Sequence, residues 1–183
     1  MIWAVALAAA ASASSAELSL GFPWSGLRLS APIGAASTTG LEAETALARR
    51  FEARGFVQRH VALAPRWSAQ TEAAGGWVIQ SPSVARQGVQ LVGRVGLRYQ
   101  RRYAPFVLLD VRQLISLREL SIASAQGART EWRAQNLYSV LCHLGVERAL
   151  SPALTLTGRL VFGEVDGVFA IPGAALGLRW SRR

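Results

Sequence analysis

The residues in this chain able to do chemistry are few and of limited kinds. Cys142, His60 and His143 are its only thiol and imidazole groups. They cannot make a zinc site of four cysteines, or of two cysteines and two histidines, and a single cysteine forms no intrachain disulfide. No HExxH, GxSxG, phosphate-binding loop or GxGxxG pattern occurs. What remains is a set of charged residues between apolar neighbours: Glu44, Arg94, Asp110, Arg112 and Arg159. Charges of both signs in apolar surroundings suit mutual ion pairing, because a buried charge must find a partner. Arginine outnumbers acid in this set, which leaves room for trapped water or a small anion. The expectation is a protein without catalytic residues, metal or cofactor.

The elements that hold these charges have a period of two. Val89, Leu91, Val95, Leu97 and Tyr99 alternate with Gln90, Arg94, Arg98 and Gln100. Val107, Leu109, Val111, Ile115 and Leu117 alternate with Asp110, Arg112, Ser116 and Arg118. Tyr138, Val140, Cys142, Leu144 and Val146 alternate with Ser139, His143, Gly145 and Glu147. Such alternation marks strands with two unlike faces. It predicts about eight strands, over 17–33, 40–51, 56–68, 88–101, 105–118, 131–148, 152–163 and 168–181. The parity of the first slips at Trp24-Ser25. Tight turns are expected at Glu52-Ala53-Arg54-Gly55, near Arg102-Tyr103-Ala104 and at Ala149-Leu150-Ser151. Longer connections are expected at 34–39, 69–87 and 119–130, with a short one at 164–167. Most of these strands reach the 9–11 residues that a tilted membrane-spanning strand needs.

Composition bounds the rest. The 183 residues are 51% hydrophobic and 17% charged. That excludes disorder and is less charged than the usual soluble domain. Beyond residue 16 the longest apolar run is Val168–Leu178, interrupted by Pro172, Gly173 and Gly177, so no spanning helix is expected. The net charge is +9 and every basic residue is arginine. These arginines are dispersed, the densest groups being pairs such as Arg49-Arg50 and Arg101-Arg102, which argues against nucleic acid as a partner. Residues 1–16, MIWAVALAAAASASSA, read as a cleaved signal peptide with sites after Ala13 or Ala16, although its n-region has no Lys or Arg. The mature domain is then 17–183.

Alternation alone does not say which face is outside. Export, charges of both signs on the polar face, and aromatics near strand ends favour a membrane barrel with its apolar face on lipid. The expected aromatic girdle is Trp67, Tyr99, Tyr103, Phe106, Trp132 and Trp180. The expected interior charge network is Glu44, Arg94, Asp110, Arg112 and Arg159. In this pattern the chain resembles the small outer-membrane β-barrels of the OmpA/OmpX/OmpW-like group. The most family-like stretches are Leu144–Pro152 and Gly173–Trp180, although Ser181-Arg182-Arg183 follow the final aromatic.

The resemblance implies a single antiparallel up-and-down transmembrane β-barrel in the outer membrane of a Gram-negative bacterium. It implies contact with membrane lipid and lipopolysaccharide, the latter through Arg86 and Arg129, and recognition of the C-terminal strand by the barrel-assembly machinery. Some small barrels are lipid A deacylases with a His-x-Ser pair. Here His60-Val61-Ala62 and His143-Leu144-Gly145 supply no serine, so a non-enzymatic structural or surface-interaction role is expected. The alternatives are a narrow channel for small or apolar solutes, and an exported soluble lipocalin-like barrel that binds an apolar ligand.

Overall fold

The computed structural model describes residues 14–46, 49–80, 86–124, 127–165 and 168–182. They form ten antiparallel strands: β1 Ser15–Phe22, β2 Trp24–Pro32, β3 Ser37–Ala46, β4 Arg50–Ala64, β5 Trp67–Gln80, β6 Arg86–Tyr99, β7 Tyr103–Ser124, β8 Gly127–Ser151, β9 Leu154–Val165 and β10 Val168–Ser181. Each pairs with its sequence neighbours, and β1 pairs with β10 to close the barrel. Closure leaves no open sheet edge around the wall. No described helix is long and apolar enough to cross a membrane.

The two faces are distributed inside out relative to a soluble protein. Leu20, Leu91, Val95, Ile115, Leu160 and Leu176 are exposed on the outer wall, Leu176 by 66%. Glu52 and Arg54 are 2% exposed and Asp110 is fully buried. An apolar exterior around a polar, filled interior is stable only where hydrocarbon replaces water. The soluble lipocalin-like alternative, which needs the apolar face inside, does not fit this distribution.

Ten strands replace the expected eight for two local reasons. The segment 17–33 is two strands joined at Pro23, and the parity slip at Trp24-Ser25 marks the change of strand. The segment 69–87, expected as a loop, is mostly β5. Its Ala, Gly, Ser and Gln side chains are too small or too polar to advertise alternation. Even so, Thr71, Ala73, Gly75, Trp77 and Ile79 are exposed on the outside while Glu72 and Val78 are buried inside. Residues 52–55, expected as a tight turn, lie within β4. Their charges resemble a solvated turn in sequence, but Glu52 and Arg54 point into the lumen and neutralise one another there.

The ends of the barrel also differ from expectation. The terminal end carries the connections 33–36, 65–66, 100–102 and 152–153 between described strands. The expected alternation of long and short connections is therefore absent, and 34–39 falls at the same end as the 100–102 turn. The segment 119–130 is not a plain loop. Residues Glu119–Ser124 of β7 and Gly127–Trp132 of β8 pair with each other. The β6 partner of β7 ends at Arg86↔Arg118 and the β9 partner of β8 ends at Val140↔Glu164. This hairpin stands about 20 Å beyond the end of β6, six residues at about 3.3 Å each. Of the expected leader, residues 1–13 lie outside the described residues, and Ser15 and Ala16 belong to β1.

Candidate functional site in the barrel lumen

An eight-stranded barrel is just filled by ordinary side chains, so a ten-stranded one has more interior to fill. This chain fills it with long charged residues. At mid-barrel, Arg94 reaches three strands: its Nη1 donates to Glu42 (2.9 Å) and Glu72 (2.8 Å), and its Nε to Asp110 (3.0 Å). Arg112 donates from Nη2 and Nε to Asp110 (2.8 and 3.1 Å) and lies 3.3 Å from both Glu44 and Glu52. Arg54 pairs with Glu44, with Glu52 (2.7 Å) and with Glu42 (3.2 Å), and donates to Gln90 Oε1 (2.9 Å). Arg28 reaches Glu72 (2.5 Å) and Arg50 reaches Glu52 (2.6 Å).

The cluster is electrically balanced. Arg28, Arg50, Arg54, Arg94 and Arg112 face Glu42, Glu44, Glu52, Glu72 and Asp110. Arg28, Arg50 and Arg54 join the expected residues together with Glu42, Glu52 and Glu72, and the charges match because Arg159 stands apart from the cluster. Register is what assembles it. Arg28↔Glu42↔Arg54 and Glu72↔Arg94↔Asp110 are cross-strand neighbours, so opposite charges project side by side from adjacent strands. Of the five expected network residues, Glu44, Arg94, Asp110 and Arg112 lie in this cluster. Arg159 also faces the lumen, but its hydrogen bond among the described residues is a long one to Ser19 Oγ (3.5 Å).

Toward the hairpin-bearing end, the buried apolar side chains of Val78, Leu114, Leu141 and Val161 share the lumen with the cluster, each less than 5% exposed, Val78 opposite Glu52 and Leu141 opposite Asp110. Two spaces of about 10 Å³ lie beside Leu141 and Arg112. Toward the terminal end the lumen opens. A cavity of about 140 Å³ is lined by Arg28, Gln58, Gln70, Arg98, Glu147 and Arg179 among others, and a mouth of about 240 Å³ shares Arg28, Gln58 and Arg179 with it. Phe56 sits in this interior with the Arg28 guanidinium 3.6 Å from its ring centre. Gly40 makes room, since a Cβ there would fall 2.8 Å from the Phe56 ring.

Both histidines face the lumen. His60 lines the open mouth. His143 is buried, its Nε2 3.7 Å from Asp110 Oδ2, and among the described residues neither ring nitrogen has a hydrogen-bond partner. No group of metal-ligating residues occurs among the described residues.

The six expected girdle aromatics fall in three places. Trp67, Tyr99, Tyr103 and Trp180 lie at strand ends on the terminal side, with the Trp67 and Tyr99 rings 4.9 Å apart. Phe106 does not belong with them. It shares the inward face of β7 with Asp110 and Arg112 and lines the cavity, and the missing side chain of Gly145 opposite leaves space for its ring. Trp132 is exposed on the projecting hairpin, outside the barrel wall. A second set, Phe22, Phe51, Trp77 and Tyr138, is exposed toward the opposite end. Sequence reading missed it because Trp77 lay in a supposed loop and Phe51 beside a supposed turn.

No protein-family model matches the sequence, and no curated protein matches it. Among solved structures the chain is similar to Ail, the attachment invasion locus protein of Yersinia pestis, at 10% identity over 92% of this chain and 97% of that one, with a TM-score of 0.45. It is similar to Neisserial surface protein A at 12% identity, 91% and 94% coverage and a TM-score of 0.39. It is also similar to the KdgM porin in complex with disordered oligogalacturonate, at 8% identity, 92% and 98% coverage and a TM-score of 0.45. The closed barrel, its apolar wall and its polar lumen are the build of the small outer-membrane β-barrels. The outer membrane of a Gram-negative bacterium is where such a surface is at home.

Proposed function

We propose that this protein is a non-enzymatic outer-membrane barrel with a closed lumen, whose role is structural or one of surface interaction through the β7–β8 hairpin. The observation that carries this reading is the balanced ion-pair cluster, which fills the lumen together with the buried Val78, Leu114, Leu141 and Val161. An ion crossing there would have to displace side chains that satisfy one another in a confined space, which is costly. The same arrangement opposes catalysis. Asp110, the acid nearest His143, is already engaged by two guanidinium groups. Barrels of this kind carry short periplasmic turns and longer outer loops, so the hairpin end is assigned to the cell exterior and the termini to the periplasm. A cleaved amino-terminal leader would supply export. The outward Leu176, Leu178 and Trp180 of β10 suit recognition by the barrel-assembly machinery, and membrane lipid with lipopolysaccharide would surround the wall.

A planar-bilayer recording of the refolded protein tests the closed lumen. The expected trace is flat. The second reading, a narrow channel, draws on the cavity that opens at the terminal end, and reproducible unitary current steps would establish it in place of the first.

A further inference from the structure

Strands β2–β7 supply the long side chains of the ion-pair cluster. The wall that closes the barrel on the other side turns short ones inward. Gly145, Arg159, Ala175 and Gly21 are register partners in one row across β8, β9, β10 and β1. Thr157, Gly177, Ser19 and Gly26 form part of the next row toward the terminal end. Ser19, Thr157 and Ala175 are buried, so both rows face the lumen. Phe106 takes up the space at Gly145. The short residues beyond it leave the cavity of about 140 Å³, and Arg159 is the one long side chain of its row that borders it.

The charge in this space is unbalanced. Glu42, Glu44 and Glu72 border the cavity but are held by arginines of the cluster. The other charges on its lining are Arg98, Arg159 and Arg179 against Glu17 and Glu147. Arg98 and Arg179 share Glu147. Arg159 makes no ion pair among the described residues, and its contact is Ser19 Oγ at 3.5 Å. That hydroxyl lies 3.4 Å from Gly26 O on its other side. Both distances are at the limit of hydrogen bonding. His143 borders the same space with its side chain 7% exposed, and its two ring nitrogens have no hydrogen-bond partner among the described residues.

We propose that the cavity at Arg159 binds one small monovalent anion, a halide or a short carboxylate. Donors short of acceptors meet there: the Arg159 fork, the Ser19 and Thr157 hydroxyls and an N–H of His143. A guanidinium in a confined lumen of low dielectric gains most from an opposite charge in contact with it. Three cations against two carboxylates leave one positive charge, which a single monovalent anion neutralises. A carboxylate matches the guanidinium fork with two parallel hydrogen bonds, and a halide takes the same N–H donors. The volume admits such an ion together with water. Glu17 keeps the charge low. Its Oε1 stands beside Gly177 on the same lining, where it repels a multivalent anion. Entry is by the terminal mouth, which shares Arg28 and Arg179 with the cavity. The inference goes beyond the closed-lumen reading and does not depend on it, because the ion enters and leaves by one mouth.

The test uses the full protein refolded in phosphatidylcholine nanodiscs. In one arm sodium chloride is titrated and followed by the line width of its chlorine NMR signal; in the other sodium formate is titrated calorimetrically. A saturable response is expected in at least one arm. It should be weakened about tenfold by Arg159→Gln, weakened by Ser19→Val, whose methyl groups occupy the space, and tightened by Glu17→Gln. Arg59→Gln, on the outer wall, should leave it unchanged. Response to chloride alone identifies a halide site, and response to formate alone identifies a carboxylate site. Folding of each variant is checked by heat-dependent gel mobility. If Arg159→Gln does not fold, Ser19→Val and Glu17→Gln decide the matter with Arg159 in place. No saturable response in either arm means that the cavity holds water only and overturns the proposal. A response undiminished in correctly folded Arg159→Gln or Ser19→Val overturns it as well. Failure of the closed-lumen reading would appear separately, as bilayer current.

Discussion

Arg112 and Asp110 are two positions apart on β7 and point into the same lumen, where Nη2 and Nε of the arginine hold the two carboxylate oxygens at 2.8 and 3.1 Å. Residues i and i+2 share a face of a strand, so this fork is made within one element. Arg94 then approaches the same carboxylate from β6 at 3.0 Å. Asp110 thus links the two arginines that reach the glutamates of β3, β4 and β5.

Asp110→Ala should therefore be among the most damaging single changes. It strands two buried guanidinium groups, and breaking a buried pair costs about 3–5 kcal/mol. Urea unfolding in lipid vesicles, followed by tryptophan fluorescence, should show that loss. An unchanged midpoint would mean that the lumen is far wetter than this packing implies.

The lipid-facing wall makes the opposite prediction for apolar positions. Leu176, near the middle of β10 and 66% exposed, should tolerate Ala but not Arg. An arginine at the bilayer midplane of such a barrel costs about 2–4 kcal/mol. Leu176→Arg should shift the same unfolding midpoint by that amount. In a water-soluble protein the substitution at so exposed a position would be nearly silent.

Aromatic depth can be read with brominated lipids on variants that retain one tryptophan each. Trp67 and Trp180 at the terminal end and Trp77 toward the other should all be quenched most by bromines close to the headgroup. Trp132, on the projecting hairpin, should escape quenching. Strong quenching of Trp132 would lay the hairpin on the membrane instead of above it.

The mature amino terminus should be Ser14. Its N–H donates to Ser30 O (2.8 Å), its carbonyl accepts from Arg182 N (2.6 Å), and Ser15 Oγ meets Ser30 Oγ (2.6 Å). Cleavage after Ala16 would remove these contacts, which tie the start of β1 to Ser30 of β2 and to Arg182 just past β10. Amino-terminal sequencing of the outer-membrane form decides between the two sites, and a chain beginning at Glu17 would refute this choice.

The sequence by itself determined that the chain is all-β, which residues share a face, and that an apolar face lies opposite one carrying both charges, because alternation is a local property of the pleat. Glu44, Arg94, Asp110 and Arg112 were legible for that reason. Glu42 shares the polar face of its strand with Glu44 and was legible in the same way, whereas Glu52, Arg54 and Glu72 were not. Glu52 and Arg54 have the composition of a turn, Glu72 lies in a run of small residues, and only partners on other strands identify them as interior. Phe106 was misplaced although its even position on β7, shared with Asp110 and Arg112, already put it on the inward face; what only the β7–β8 pair shows is the space that Gly145 leaves for its ring. The strand count, the neutral ion-pair cluster and the small residues that surround Arg159 all rest on register between strands far apart in sequence. Register is fixed by closure of the barrel, a condition on the whole chain that no single segment records.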